Sequence, residues 1–264
     1  MSLVGCAPMA RSDLRQFGPG PYFLGFERKD EHWGTGFPFD VPAVAAADQL
    51  NLQRPVTLFA GENGTGKSTL IEAIAESMGF ASQGGELDRA GEFPARPRPV
   101  LGGGFEPILS GTKPRNGYFL RAESFFNIAA FIDSGGIYAP DLSLYGDLPL
   151  HEQSHGQSFL ALAENRLRGE GLYLLDEPEA ALSVSGELAL LAVIAQAARV
   201  GAQFIIGTHS PVLLACPDAV IFECDEAGVT QRSYEDVDAV RLTRTFLEAP
   251  ERFLRAALED SEDP

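Results

Sequence analysis

The run Ala60-Gly61-Glu62-Asn63-Gly64-Thr65-Gly66-Lys67-Ser68-Thr69 constrains this chain more than any other feature. It satisfies G-x-x-x-x-G-K-[ST] at every fixed position, and its flanks fit as well. Val56-Thr57-Leu58-Phe59-Ala60 reads as a buried strand entering the loop. Leu70 to Met78 reads as a helix with an apolar face at 70, 71, 74 and 78, ended by Gly79. Strand, glycine loop and helix in that order predict a phosphate-binding turn in an α/β fold. Glycines at 61, 64 and 66 let successive N–H groups point inward, and the helix N-terminus adds positive potential. Residues Gly61, Glu62, Asn63, Gly64, Thr65, Gly66, Lys67, Ser68 and Thr69 are therefore expected to hold nucleotide. Lys67 would reach the outer phosphates, and the Ser68 hydroxyl would ligate Mg²⁺. The plain alternative is a glycine-rich turn that contains a lysine.

Leu172-Tyr173-Leu174-Leu175-Asp176-Glu177-Pro178 is four apolar residues followed by two carboxylates. That pattern predicts a buried parallel strand whose C-terminal tip presents acids beside the phosphate site. Asp176 is the expected Mg²⁺ ligand. Glu177, pointing differently, is the expected residue to orient or deprotonate an attacking water. Read without the upstream loop, Asp-Glu-Pro is an ordinary strand exit. Two further segments stand in line with these. Ser154-His155-Gly156-Gln157-Ser158 lies about twenty residues before Asp176 at the start of a helical stretch, and Gln203 to Gly207 is an apolar strand leading to Thr208-His209. Alone, Ser154-His155-Gly156 is also a helix N-cap turn, and His209 is also a strand-end histidine without a chemical part.

The order of the four segments resembles the ATP-binding-cassette (ABC) ATPases: phosphate loop, signature, acidic strand end, switch histidine. Gln153-Ser154-His155-Gly156-Gln157 stands where that family has Leu-Ser-Gly-Gly-Gln, with His155 replacing the first glycine. The resemblance implies a P-loop NTPase of α/β class with a mixed sheet core, an antiparallel β subdomain and a helical subdomain. It implies ATP and Mg²⁺ as cofactors and a homodimer that closes head to tail on ATP. Ser154, His155, Gly156 and Gln157 of one subunit would then cap the nucleotide held by the other. His209 would sense the γ-phosphate and help hold Glu177 and the water. Three departures stand out. The strand Tyr118 to Ala122 is followed by Glu123, a candidate metal or water ligand, where the family has glutamine. Ala180-Ala181-Leu182-Ser183 lacks the usual closing aspartate. Asp176-Glu177-Pro178-Glu179, Arg121-Ala122-Glu123-Ser124 and Thr208-His209-Ser210-Pro211 look more like the soluble ABC-like "AAA family" ATPases.

Residues 1–264 are accordingly expected to form one ABC-type unit. Its core lobe would span about 20–122 and 170–225, its helical lobe about 124–168, and its C-terminal helices 237–258. Pro21 to Asp30 and Gly36 to Val44 are expected as antiparallel strands, with Tyr22, Phe37 and Phe39 either buried or stacked on adenine. Gly186 to Arg199 reads as a helix, and Asp218 to Glu223 as the next strand.

Composition narrows the function classes. The net charge of −17 disfavours nonspecific binding to nucleic acid or an anionic membrane face. Arg89, Arg96, Arg98, Lys113, Arg115 and Arg121 are the local exception, read as solvated charges in Gly/Pro-rich loops. No apolar run approaches the roughly eighteen residues of a membrane span, and Met1 to Arg15 lacks a secretory pattern, so a cytoplasmic location is expected. Three cysteines, an odd number without ligand spacing, argue against a zinc site or disulfide framework. The expected function is a stand-alone ABC-type ATPase acting as a switch or clamp. The alternatives are the ATP-binding subunit of an ABC transporter, a nucleotide-gated regulatory or defence component, and a DNA-repair clamp.

Overall fold

The computed structural model describes residues 20–81, 84–87, 104–122 and 154–259, the side chains of Gln49, His155 and residues 256–259 excepted. A seven-stranded sheet forms the centre. In spatial order its strands are β3 (Gly85–Glu86), β5 (Asn116–Arg121), β6 (Gly171–Asp176), β7 (Gln203–Gly207), β2 (Val56–Ala60), β8 (Val220–Asp225) and β9 (Gly228–Arg232). The five inner strands pair in parallel, and β3 and β9 close the two edges antiparallel. A separate two-stranded antiparallel sheet pairs β1 (Phe23–Arg28) with β4 (Phe105–Leu109).

The inner strands are apolar at nearly every position because each lies between two layers. The pleat then sorts their side chains by parity. Val56, Leu58, Ala60, Leu120, Tyr173, Leu175, Phe204 and Ile206 pack on one face with α3 (His155–Arg166) and α4 (Val184–Arg199), through Phe159, Leu162, Leu190 and Ile194. Phe59, Phe119, Leu172, Leu174, Ile205 and Phe222 pack on the other face with Leu70, Ile71 and Ile74 of α2 (Lys67–Ser77) and with the antiparallel lobe. Each such side chain is worth about 1.5–3 kcal/mol when fully buried, so these two layers carry the fold.

The lobes are tied by a polar residue. Gln203, fully buried at the start of β7, accepts from the N–H groups of Tyr22 (2.8 Å) and Phe23 (2.9 Å). Its amide donates to the carbonyls of Phe23 (2.7 Å) and Leu52 (3.0 Å). All the capacity of the side-chain amide that these backbone groups can use is taken, which is the condition for burying it.

Several expectations change. Gly36 to Val44 is not a strand: turns lead into α1 (Pro42–Ala45), and β4 is the antiparallel partner of β1. Pro38 and Pro42 remove two ladder donors there, and Pro42 opens a helix instead. The strand expected from Asp218 begins two residues later at Val220, because Asp218 turns in the left-handed region (φ 59°). β8 returns through a hairpin into β9, which pairs with it antiparallel from Ile221–Arg232 to Asp225–Gly228 and adds an edge strand to the expected elements. Arg121 is not a solvated loop charge but a buried residue ending β5. After α5 (Pro211–Leu214), the chain ends its described part in α6 (Asp238–Glu248) and α7 (Pro250–Glu259). Most of the expected helical lobe, with Glu123 and Gln153, and the three arginines at 89, 96 and 98 lie outside the described residues. Among the described residues no helix is long and apolar enough to cross a membrane.

Candidate functional site

The loop from Gly61 to Gly66 leaves β2 and enters α2 at the C-terminal edge of the parallel strands. Two of its glycines leave no room for a side chain. Gly61 has φ +137°, and a Cβ there would sit 2.3 Å from the Cys224 carbonyl oxygen. Gly66, at φ +97°, is the N-cap of α2, and a Cβ would stand 2.4 Å from Val41 Cγ1. The α1 segment thus backs the loop, a contact not legible in the sequence. The first N–H groups of α2 have no intrahelical acceptors, which suits an anion.

Lys67 is nearly fully buried, and its ammonium makes two hydrogen bonds and one ion pair. Nζ donates to the carbonyls of Gly61 and Glu62, 2.8 Å each, and lies 3.8 Å from Glu177 Oε1. Thr65 Oγ1 donates to the same Glu62 carbonyl at 2.8 Å and tightens the turn. Ser68 Oγ donates to Asp176 Oδ1 at 2.9 Å, joining residues 108 positions apart. Asp176 stands in register with Arg121 on β5 and with Gly207 on β7. Arg121 Nε lies 3.6 Å from Asp176 Oδ2, and its guanidinium pairs with Glu72 of α2 at 2.5 Å. Burial pushes the Asp176 carboxyl up to about 6, against the downward pull of the Ser68 hydrogen bond and Arg121.

Glu177 adopts φ 49°, ψ 50°, a left-handed conformation that costs a non-glycine residue about 1–3 kcal/mol. Its N–H is held by the Gly207 carbonyl at 2.9 Å. Pro178 follows and opens a short 3-10 turn, Pro178–Ala181. That turn swings Glu179 inward, where its Oε1 accepts from Thr208 Oγ1 and from the His209 N–H, both at 2.7 Å. His209 Nδ1 lies 3.2 Å from the same oxygen, with the imidazole half exposed.

Ser154 is the exposed N-cap of α3. Its side chain accepts from Gln157 N (3.4 Å), while Gln157 Oε1 accepts from Ser154 N (3.0 Å), a complete capping box. Gly156 faces the Ala181 carbonyl oxygen, 3.2 Å from where its Cβ would be. The structure therefore brings together Lys67, Ser68, Asp176 and Glu177 around one loop. Among the described residues no hydrogen bond or ion pair joins residues 154–157 to that loop, or His209 to Glu177. Of the candidate aromatics, Tyr22 and Phe39 are buried and Phe37 is 78% exposed. Sequence reasoning missed Arg121 as a site residue, and with it Glu72. A basic residue closing an apolar strand was the signal for the first, and a glutamate on the helix just past the loop was the signal for the second.

The donor set fits the expected cofactors. Ser68 Oγ and Asp176 Oδ1 are hard oxygen donors, the type Mg²⁺ selects. A family model described as "AAA domain" matches residues 45–93, the stretch that contains the loop. The Cytochrome c biogenesis ATP-binding export protein CcmA of Salmonella typhi is 31% identical over 160 residues, 58% of this chain and 75% of that protein. The same values hold for CcmA 2 of Salmonella typhimurium. Among solved structures, cbiO1 from Clostridium perfringens, part of the ABC transporter complex cbiONQ, has a TM-score of 0.50 at 16% identity. That likeness covers 87% of this chain and 97% of that one, and shows a shared fold.

Proposed function

The chain belongs to the ABC-type P-loop ATPases, enzymes that hydrolyse ATP, and on that premise we propose that it is the ATP-binding subunit of a transport assembly whose membrane-spanning part is a separate protein. The hydrogen bond from Ser68 to Asp176 carries the chemical part, because it joins the phosphate loop to the acidic strand end. In this reading residues Gly61 to Thr69 cradle the phosphates of ATP. Lys67 exchanges the two carbonyls it now holds for phosphate oxygens. Ser68 and Asp176 hold Mg²⁺, which when bound neutralises charge on the phosphates. Glu177 takes a proton from the attacking water as the water oxygen bonds to the γ-phosphorus, the bond from that phosphorus to the β–γ bridging oxygen breaks, and ADP leaves with the bridging oxygen while the new P–O bond completes the phosphate. His209 keeps that water in place. Ser154, His155, Gly156 and Gln157 of one subunit cap the nucleotide of the other in a head-to-tail dimer. Phe37, beside the segment that backs the loop, offers an exposed ring to adenine.

The relatives move this reading ahead of the stand-alone clamp that the sequence put first, since CcmA and CcmA 2 are ATP-binding export proteins by name. The stand-alone ATPase remains the second reading, favoured by His155 in the signature and by Glu179 after Pro178. Light scattering on Glu177→Gln, with and without Mg·ATP, tests the engine. Slowed hydrolysis should trap a dimer that appears only with ATP; a monomer with ATP demonstrably bound overturns the head-to-tail arrangement. Fractionation of cells carrying the tagged chain tests the assembly. Recovery with membranes, released by mild detergent together with an integral membrane protein, is the expected result; a purely soluble dimer supports the second reading.

A further inference from the structure

Glu179 is a buried carboxylate whose bonding is lopsided. Its side chain is 6% exposed. Oε1 receives Thr208 Oγ1, the His209 N–H and the approach of His209 Nδ1, whereas Oε2 is buried and accepts no hydrogen bond among the described residues. Burying a carboxylate is costly unless its interactions offset the lost hydration. Here all of them point at the end of β7. The segment that carries the imidazole is also held from other directions. Thr208 N–H donates to the Phe59 carbonyl at 3.0 Å. Thr208 Oγ1 accepts from Ser210 N at 3.0 Å. Ser210 Oγ is bonded to Glu187 of α4 and caps α5 by accepting from Val212 N (3.1 Å) and Leu213 N (3.3 Å). Of this cluster, the imidazole is the part left half exposed.

A ring with Nδ1 toward a buried carboxylate turns Nε2 the other way. Which nitrogen of a histidine carries the proton is set by the partner of the other nitrogen. We propose that Glu179 is a positioning residue for ATP hydrolysis: it keeps a proton on His209 Nδ1 and so turns Nε2 toward the γ-phosphate and the attacking water. This rests on the reading of His209 given above and adds a residue that acts only through it. The same division of labour, with a buried acid orienting a histidine that faces the reacting group, operates in hydrolytic triads.

The test compares wild type, Glu179→Gln, His209→Ala and the double variant. Glutamine keeps the length of the side chain and an acceptor for Thr208 and the His209 N–H, but removes the charge facing Nδ1. Glu179→Gln should lower kcat about 10- to 100-fold with KM for ATP unchanged, the range seen when a supporting partner of a working histidine is lost. Adding it to His209→Ala should cost nothing further. Losses that multiply, or a wild-type kcat in Glu179→Gln, overturn the proposal. A wild-type rate in His209→Ala alone instead sinks the role of His209. Nitrogen-15 spectra of the imidazoles give a readout independent of turnover. The chain has four histidines, and His209→Ala identifies the relevant resonance. Wild type should show the proton on Nδ1, and Glu179→Gln should shift it toward Nε2. If Glu179→Gln folds poorly, a wild-type His209 without a proton on Nδ1 still overturns the proposal.

Discussion

Asp176 shows how a site can work against the stability of its own fold. Its ordinary carboxyl value of 3.8 rises to about 6 because burial outweighs Ser68 and Arg121. The folded state therefore favours the protonated form more than the unfolded chain does. Below about pH 4 this group costs nothing; the cost grows between about 4 and 6 and is complete above 6, at roughly 3 kcal/mol for two pKa units. Asp176→Asn should abolish hydrolysis yet raise the melting temperature of the nucleotide-free protein at pH 7.5 by about 2–6 °C. The gain should shrink as the melts are repeated toward pH 4. A lower melting temperature would mean that the lost pairing with Arg121 outweighs the relief of burial. Lys67, Ser68, Asp176 and Glu177 were legible because their spacing is local to a loop and a strand tip. Arg121 was not, because its partners Glu72 and Asp176 are distant in the chain and only strand pairing brings them near.

Among the elements, the inner strands were read well because apolar runs with carboxylates or glycine at their ends can be satisfied only between two layers. Gly36 to Val44 misled because its composition is apolar and aromatic while its prolines forbid the ladder. The N-terminus of α3 was read both ways, and the structure shows the capping box in full. Capping does not preclude a part in trans, since Ser154 remains exposed. Ser154→Arg removes a cap worth about 1 kcal/mol and sets a bulky cation on the exposed turn. Calorimetry on the isolated subunit should show ATP affinity unchanged, while phosphate release falls at least about 100-fold. Hydrolysis surviving that change would end the cross-subunit reading.

For the whole molecule, Gln203 is the polar tie between the antiparallel lobe and the parallel core. Gln203→Leu would leave the N–H groups of Tyr22 and Phe23 and the carbonyls of Phe23 and Leu52 without this partner. Each buried orphan costs about 1–3 kcal/mol, so a fall in melting temperature of more than about 6 °C is expected in a thermal scan. A smaller shift would show that the lobes are joined by apolar packing alone. By itself the sequence determined the phosphate loop, the acid pair and the α/β class, since each depends on backbone freedom and hydrophobic period within a dozen residues. Tertiary structure alone decided that β7 lies between β2 and β6, that Arg121 reaches Glu72 and Asp176, and that Glu179 meets His209. Strand order and buried charge pairing arise from which surfaces exclude water together, and the local pattern of a chain carries no record of that.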